Sequence, residues 1–410
     1  MGQKKQGIKD MKKTHSGGVS VDKVDSSVKD AVNWLVNSGI QNMDAGKRDI
    51  YGSFNAWYEQ DTGIYPFVYS ENTGYMLTMM CYLWDRYGKE EYLKRGKLAG
   101  DWLLNMVHES NGGFRCLYPL NPSRFDFKKE QMYAFDNGII LNGLVNLYRA
   151  TKEEKYLVAA VTVADWLVYS AQKPSGAFYP IYQLVDGKFF ESDKEWSTIS
   201  GSYHVKIAIG LLNLYDLSHK KKYLDSAIKI CDFALSCQNA SGRYISYLSR
   251  GGTNAHPHCY SGEGLWVAGT VLEREDYLES SARGVQWLLD MQSEDGFVPR
   301  LFLDDRPIYN ERLDIISQTL RLSMIHMSEK RVPLSNKNKI ELLLSHIIRY
   351  QARDAKDAKA DGGFYFGKSS KGDREMPHVN LWVSAFAIQA LNAYMDYSAG
   401  KFKLKPFLIV

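Results

Sequence analysis

DGGF, at residues 361–364, is the last of six short stretches in which a glycine stands one or two positions before an aromatic residue. The other five end at Phe54, Phe114, Phe178, Tyr244 and Phe297, so successive aromatic residues are 53–67 positions apart. Such even spacing indicates an internal repeat. Because glycine adopts backbone conformations that other residues avoid, each stretch is interpreted as a sharp turn whose aromatic side chain has a structural role.

Apolar residues recur at helical spacing between these turns, and the helices alternate in character. Helices with one charged and one apolar face precede the turns, at 25–39, 90–108, 153–172, 221–238, 275–292 and 337–351. Helices that are apolar nearly all round follow them, at 73–88, 137–151, 202–218, 260–273, 314–328 and 379–397. The alternation predicts an all-α fold, an (α/α)6 toroid in which six inner helices stand inside six outer helices, with short β-hairpins at the rim.

Composition and charge fit one soluble domain. The chain has 410 residues, 45% of them hydrophobic, and a formal net charge of +4. We expect a flexible basic segment at 1–22, a single toroid domain at 23–398 and a C-terminal tail at 399–410. The mild, dispersed charge gives no indication of nucleic-acid binding. There is no apolar run of membrane-spanning length and no signal peptide, and the five scattered cysteines are interpreted as reduced thiols, so a cytoplasmic protein is expected.

Polar residues interrupt the apolar sequence where each inner helix begins, and long loops lead to the same ends. A cavity is therefore expected there. The predicted catalytic residues are Tyr75, Asp136, Tyr203, Tyr260 and Glu263. The predicted substrate-binding residues are Trp57, Tyr65, Glu71, Asn137, His204, His256, His258, Arg312, Asp314, His378, Asn380 and Trp382. This mixture suits a sugar, whose C–H faces stack on aromatic rings while its hydroxyls form hydrogen bonds.

Structural roles stay open for several of these residues. Asp136, Asp314 and Glu71 stand where helix caps occur, and His204 could equally be a hydrogen-bonded core histidine. The run His256-Pro-His258-Cys259 has no second Cys/His pair at metal-ligand spacing, so neither a metal nor a cofactor is expected. Tyr260 and Glu263 lie one helical turn apart, so both can face one cavity.

The stretch AFDNGIILNGLVNLYRATKEEKYL, at 134–157, resembles unsaturated glucuronyl hydrolases and related sugar enzymes. In that family an aspartate opens an inner helix and an asparagine follows it, and the counterparts here are Asp136 and Asn142. The likeness covers one repeat well and the others in architecture. It implies glycoside hydrolysis with Asp136 as acid/base and Glu71 or Asp314 as its partner.

A second resemblance is to glucuronyl C5-epimerase-like proteins of polysaccharide biosynthesis. It is carried by WYEQDTGIYPFVYSENTGY at 57–75, GLLNLYDLSHKKKYL at 210–224 and SGRYISYL at 241–248. The accessory β-domains of the animal enzymes have no counterpart in this sequence. The resemblance implies an acidic oligo- or polysaccharide as substrate.

Epimerisation at C5 of a uronate needs one group to remove the proton and another to return it from the opposite face. The candidate carriers are Tyr75, Tyr203, Tyr260 and Glu263. The extra negative charge on the substrate carboxylate must be stabilised by cations or strong donors, for which the candidates are Arg312, His204 and His258.

Three functions stay open from the sequence. Uronosyl C5-epimerase is favoured over glycoside hydrolase, and a non-catalytic glycan-binding toroid that depends on Trp57 or Trp382 is third. Squalene-cyclase-like toroids share the ending that runs from Gln292 to Phe297, but the DxDD acid motif of those cyclases is missing, which argues against them.

Overall fold

The computed structural model describes residues 19–119, 126–247, 249–369 and 374–410. Within them lie twelve α-helices, and the odd-numbered ones form an outer ring: α1 Val21–Asn37, α3 Glu90–Trp102, α5 Glu154–Trp166, α7 Lys221–Ser236, α9 Glu275–Asp290 and α11 Lys337–Arg349. The even-numbered ones form the inner ring: α2 Ser70–Tyr87, α4 Ala134–Thr151, α6 Ile207–Ser218, α8 Ala255–Leu272, α10 Leu313–Ser328 and α12 Leu381–Ser398. The (α/α)6 toroid predicted from the sequence is confirmed.

Contacts between neighbouring helices close both rings. Each inner helix packs on the next one, and α12 packs on α2 and α1, which joins the end of the chain to its beginning. Burial follows the predicted contrast. Every residue of α4 from Ala134 to Leu147 is buried, whereas α1 buries one stripe that includes Val24, Val28 and Ala31.

Short strands occupy the loops at the end where the inner helices begin. The strands are β1 Trp57–Glu59, β2 Phe67–Tyr69, β3 Leu117–Pro119, β4 Gln131–Tyr133, β5 Ile181–Gln183, β6 Lys188–Phe190, β7 Thr253–Asn254, β8 Leu301–Leu303, β9 Arg306–Ile308, β10 Tyr365–Lys368 and β11 Glu375–Asn380. They pair antiparallel in four small sheets, ordered β1-β11-β10, β2-β3, β4-β5-β6 and β7-β8-β9. Four strands, β2, β4, β7 and β11, run directly into an inner helix, so each fixes the first turn of that helix.

The glycine turns of the repeat share one geometry. The backbone angle φ lies between +90° and +97° at all six of them: Gly52, Gly112, Gly176, Gly242, Gly296 and Gly362. A Cβ atom on Gly176 would lie 2.4 Å from the backbone oxygen of Lys229 in the next outer helix, and Gly242 approaches Arg283 in the same way. Glycine is therefore required both by the backbone conformation and by the contact between neighbouring outer helices.

A glutamine that follows the outer helix reinforces this contact in five of the six repeats. Its side-chain nitrogen donates to the backbone oxygen of the turn glycine and to a backbone oxygen in the next outer helix. The five are Gln41, Gln172, Gln238, Gln292 and Gln351. In the remaining repeat His108 takes the place and its ring stacks on Phe114 at 4.5 Å.

The aromatic residues of the turns are buried, with one displacement. Phe54, Phe114, Phe178, Tyr244 and Phe364 are fully enclosed. In the third turn the backbone N–H of Lys173 donates to the backbone oxygen of Ala177, and the next residue, Phe178, is the buried one. In the fifth turn the equivalent bond runs from Ser293 to Phe297, so the residue equivalent to Phe178 is Val298. Val298 therefore occupies the buried position, and the prediction that Phe297 belongs to the series was wrong by one residue.

The described parts of the two chain ends pack on the toroid. Residues 1–18 of the predicted flexible segment lie outside the described residues, and α1 begins at Val21. The predicted tail crosses the far end of the inner ring. Asn142 and Asn146 donate to the backbone oxygen of Phe407, Gln389 donates to that of Leu408, and Ile409 and Val410 are buried.

The turn geometry predicts an unequal response to two alanine substitutions. Gly176→Ala adds a Cβ atom in contact with Lys229, whereas Gly88→Ala, at φ +67°, meets nothing within 4 Å. We expect Gly176→Ala to lower the free energy of unfolding by roughly 3 kcal/mol and Gly88→Ala by about 1 kcal/mol, the cost of left-handed backbone alone. Urea denaturation measures both, and equal losses would contradict the contact argument.

Candidate active site

A cavity of about 160 Å³ lies at the end of the toroid where the inner helices begin. Its walls are formed at the starts of all six inner helices: the first turns of α2, α4, α8, α10 and α12, and the turn before α6. The lining residues are Tyr69, Glu71, Lys128, Tyr133, Phe135, Asp136, Trp196, Ser197, Tyr203, His256, Tyr260, Arg312 and Trp382. Seven of the residues predicted from the sequence are among them: Glu71, Asp136, Tyr203, His256, Tyr260, Arg312 and Trp382.

Two carboxyl groups share one side of the cavity. Burial raises the pKa of Asp136 well above its usual range, and the charge of nearby Glu71 raises it further. Burial also raises the pKa of Glu71, although Tyr69, Lys128 and Lys206 oppose the shift. Among the described residues Asp136 Oδ2 has no hydrogen-bond partner. Two adjacent carboxyls in a dry site cannot both ionise readily, so the pair retains a proton.

His256, Asp314 and Arg312 occupy the other side. His256 Nδ1 lies 2.8 Å from Gln318 Oε1 and 3.4 Å from Asp314 Oδ2. Burial lowers the pKa of His256 to about 4, with Arg312 and Lys206 acting in the same direction and Asp314 against them. Arg312 donates to both oxygens of Asp314, so this carboxylate stays ionised despite its burial. At neutral pH His256 is therefore an uncharged imidazole.

Aromatic side chains form the remaining surface. Trp196 meets Tyr203 edge-on at 5.2 Å, and Phe135 lies 4.7 Å from Tyr260 between ring centres. At the rim Trp57 packs against the predicted site residue His378 at 4.8 Å and against Trp382 at 6.1 Å. Trp382 Nε1 lies 3.5 Å from Asp314 Oδ2. These flat faces suit the C–H surface of a sugar ring.

Glu263 and Tyr75, two of the predicted proton carriers, lie beneath the cavity and do not line it. Glu263 accepts from Lys206 at 2.7 Å and from Arg321. Burial opposes its ionisation, but these two cations hold the pKa of Glu263 below its usual range. The Tyr75 ring packs against Phe386 at 5.5 Å, and Lys206 Nζ lies 5.1 Å from its centre. Glu263 is thus the anion of a buried ion cluster.

Five further predicted residues are held by backbone contacts. Asn137 accepts from the backbone N–H of Phe114 at 2.7 Å, and His258 accepts from that of Tyr244 at 3.2 Å. His204 Nδ1 accepts from Gly201 at 3.4 Å. Tyr65 donates to the backbone oxygen of Ser38 at 2.6 Å, and Asn380 caps α12 by accepting from Val383. None of the five is among the lining residues, and each contact fixes a turn or a helix start.

Several charged and amide side chains near the site were not predicted from the sequence, among them Lys128, Lys206, Gln318 and Arg321. The sequence did contain a signal for Lys206, because this lysine directly precedes the apolar run of α6. In the structure its side chain is buried. Burial lowers the pKa of Lys206 to about 8, although Glu263 raises it. Gln318 donates to Glu263 at 3.2 Å and thereby links His256 to the ion cluster. Such pairings across helices leave no trace in one sequence.

Among the described residues no three His, Cys, Asp or Glu side chains converge as metal ligands would. No α-helix in the described ranges combines the length and the apolar character that crossing a lipid bilayer demands. All five cysteines are buried and unpaired.

Solved structures share this fold over nearly the whole chain. A cellobiose 2-epimerase from Bacillus thermoamylovorans is 12% identical, with a TM-score of 0.72 over 90% of this chain and 99% of that one. A D-mannose isomerase is 11% identical, with a TM-score of 0.71 over 93% and 99%. An unsaturated glucuronyl hydrolase specific for heparin is 14% identical, with a TM-score of 0.66 over 93% and 99%.

Comparison of sequences finds fewer relatives than comparison of structures. No family model matches the chain. An uncharacterized Caenorhabditis elegans protein is 31% identical over 112 residues, which are 27% of this chain and 15% of that protein. The match thus spans a small part of that relative's length. Because the solved structures are only 11–14% identical to this chain, their likeness establishes the (α/α)6 toroid fold alone. This fold agrees with the resemblance seen in the sequence.

The carboxyl pair predicts a pH-dependent stability difference for Asp136→Asn. An unfolded aspartate has a pKa of about 3.9, so above that pH the unfolded chain has lost a proton that folded Asp136 still holds. Wild-type stability therefore falls as pH rises from about 4 towards the raised folded pKa, and the variant lacks this loss.

We expect the melting temperature of Asp136→Asn, relative to wild type, to increase as the pH rises above about 4, the pKa of an unfolded aspartate. Thermal unfolding followed by circular dichroism measures it, with exposed Asp225→Asn on α7 as control. A difference that does not vary with pH would contradict the raised pKa of Asp136.

The ion cluster predicts a large effect at Glu263. Glu263→Gln leaves Lys206 and Arg321 buried beside each other without their shared anion, so we expect roughly 3–5 kcal/mol of lost stability. The double variant Glu263→Gln/Lys206→Met should recover part of it, and exposed Glu279→Gln on α9 should change little. Urea unfolding measures all three, and a neutral Glu263→Gln would refute the ion-cluster assignment.

Proposed function

We propose that this protein is a carbohydrate-active enzyme that transfers protons at a sugar bound in the axial cavity, and that its reaction is uronosyl C5-epimerisation. The observation that carries the proposal is the contrast between the two sides of the cavity. One side holds a carboxyl pair with raised pKa values, and the other holds His256, whose pKa is lowered to about 4. Groups whose environments separate their pKa values in this way serve as acid and base.

Epimerisation needs proton carriers on both faces of the sugar. In the closed inner ring α2 stands across the axis from α8, and α4 from α10. Asp136 and Glu71 thus face the sides formed by His256, Tyr260 and Arg312. The neutral imidazole of His256 removes the proton, and the protonated carboxyl pair returns one from the opposite face.

Donors and cations around the cavity serve the charged intermediate. Burial and the neighbouring Glu71 hold the pKa of Tyr260 well above its usual range, so its hydroxyl remains a hydrogen-bond donor. Lys128 and Arg312 line the same cavity and supply positive charge for the substrate carboxylate. Tyr203 completes the wall but donates to the backbone oxygen of Ile199 at 3.1 Å. Glu263 and Tyr75 receive no proton-transfer role in this proposal.

The solved structures of the same fold support a sugar as substrate, since they include proteins named as an epimerase and an isomerase of sugars. A second function, hydrolysis of unsaturated glucuronyl units, is favoured by one observation. Asp136 Oδ2 has no partner in the described residues and belongs to a group that keeps its proton, as a general acid must. Glu71, whose charge acts on Asp136, is the partner carboxyl for this reaction.

Incubation with heparosan-like or alginate-like oligosaccharides in heavy water tests the proposal. Mass spectrometry should show deuterium incorporated at C5 without chain shortening. Asp136→Asn and His256→Asn should each lower the exchange rate roughly 10²–10⁴-fold, because each removes one proton carrier.

Two exposed residues provide matched controls, Asp225→Asn and His219→Asn, the second at a left-handed backbone position that asparagine tolerates. Loss of terminal unsaturated sugars without C5 exchange would overturn epimerisation in favour of hydrolysis. Tight binding of the oligosaccharide without any turnover would overturn both and leave a glycan-binding toroid.

A further inference from the structure

Arg300 lies at the base of the β8-β9 hairpin, near the cavity-lining residue Arg312. Its backbone N–H donates to Ile308 at 2.9 Å, and its backbone oxygen accepts from Ala255, the first residue of α8, at 3.0 Å. The hairpin and the helix that carries His256 thus both fix its position. The side chain is half-buried, and the residue was not predicted from the sequence to belong to the site.

The guanidinium of Arg300 has only neutral acceptors within the described ranges. Nη1 donates to Asn310 Oδ1 at 2.7 Å and to the backbone oxygen of Lys368 at 3.4 Å. The nearby carboxylate of Asp314 is already engaged by Arg312, and that of Glu311 by the Lys368 ammonium at 2.8 Å.

Arg300 and Arg312 contact the same short segment, because Arg312 forms a β-bridge with Gly367 and Arg300 donates to the backbone oxygen of the next residue, Lys368. Burial and then the charge of Arg312 lower the pKa of Arg300 to about 10, with Asp314 and Tyr247 opposing the shift. Arg312 uses Nε and Nη2 for Asp314, which leaves Nη1 for a ligand. Partly buried guanidinium groups without a carboxylate partner are characteristic of oxyanion recognition, because the fork of N–H donors matches a planar or trigonal anion.

We propose that Arg300 and Arg312 form an oxyanion subsite at the cavity entrance, which binds the carboxylate of a uronate or the sulfate ester of a sugar. The inference deepens the proposed function and rests on it for the identity of the ligand as a sugar. Arg312 reaches the sugar inside the cavity, and Arg300 extends the positive surface outward along the β8-β9 hairpin. The subsite selects an acidic sugar over a neutral one.

Calorimetric titration of the full chain with three probes tests the subsite: methyl β-D-glucuronide, glucose 6-sulfate and methyl β-D-glucoside. Wild type should bind at least one acidic sugar on the order of tenfold more tightly than the glucoside. Arg300→Gln should abolish that preference without changing affinity for the glucoside, and Arg300→Lys should retain part of it. Exposed Arg306→Gln on the same hairpin is the matched control.

The three sugar probes and the Arg300 variants distinguish the possible outcomes. Preference for the glucuronide identifies a carboxylate ligand, and preference for the sulfate identifies a sulfate ester. Equal affinity for acidic and neutral sugars, or a preference that survives in Arg300→Gln, overturns the subsite and leaves the proposed function standing. If no sugar binds, titration with inorganic sulfate decides: Arg300-dependent binding retains an oxyanion site and rejects the sugar enzyme, and no binding rejects both.

Discussion

One recurring hydrogen bond determines where the cavity forms. In four of the six repeats a side chain in the first turn of the inner helix accepts the backbone N–H of the buried aromatic residue in the preceding turn. The acceptors are Thr73, Asn137, His258 and Ser384, at 2.7–3.2 Å. Each bond satisfies a buried donor and fixes the axial height and rotation of its helix. The side chains one or two positions away, among them Glu71, Asp136, His256 and Trp382, are thereby directed to the axis.

Bringing helix starts together at an axis forces charged groups out of water, and the protein resolves this in two ways. Glu263 is neutralised by Lys206 and Arg321, which stabilises the charged form. Lys128 and Lys206 only partly oppose the raised pKa values of Asp136 and Glu71, so burial and mutual repulsion favour the protonated form. The first arrangement supports the cavity from below. The second leaves a proton donor inside it, and that difference is the physical basis of the proposed chemistry.

The fold could be predicted from the sequence because repeat spacing and helix periodicity are local signals. Even there, Phe297 was misplaced, since a residue in the next position, Val298, fills the buried site. The functional residues were predicted less completely. His256 and His258 look equivalent in sequence, yet only His256 lines the cavity, because His258 serves as the backbone acceptor for Tyr244. Lys206, Gln318 and Arg321 were missed because their partners are on other helices, and Arg300 because its neighbour Arg312 is twelve residues away.

The proposed chemistry requires that Glu71 and Asp136 hold a proton between them at neutral pH. Infrared difference spectroscopy of the folded protein measures this directly, through the carbonyl stretch of a protonated carboxyl group. Wild type should show such a band at about pH 7, above the usual range of carboxyl pKa values, and the band should disappear in Asp136→Asn. A spectrum with only ionised carboxylates at that pH would contradict it.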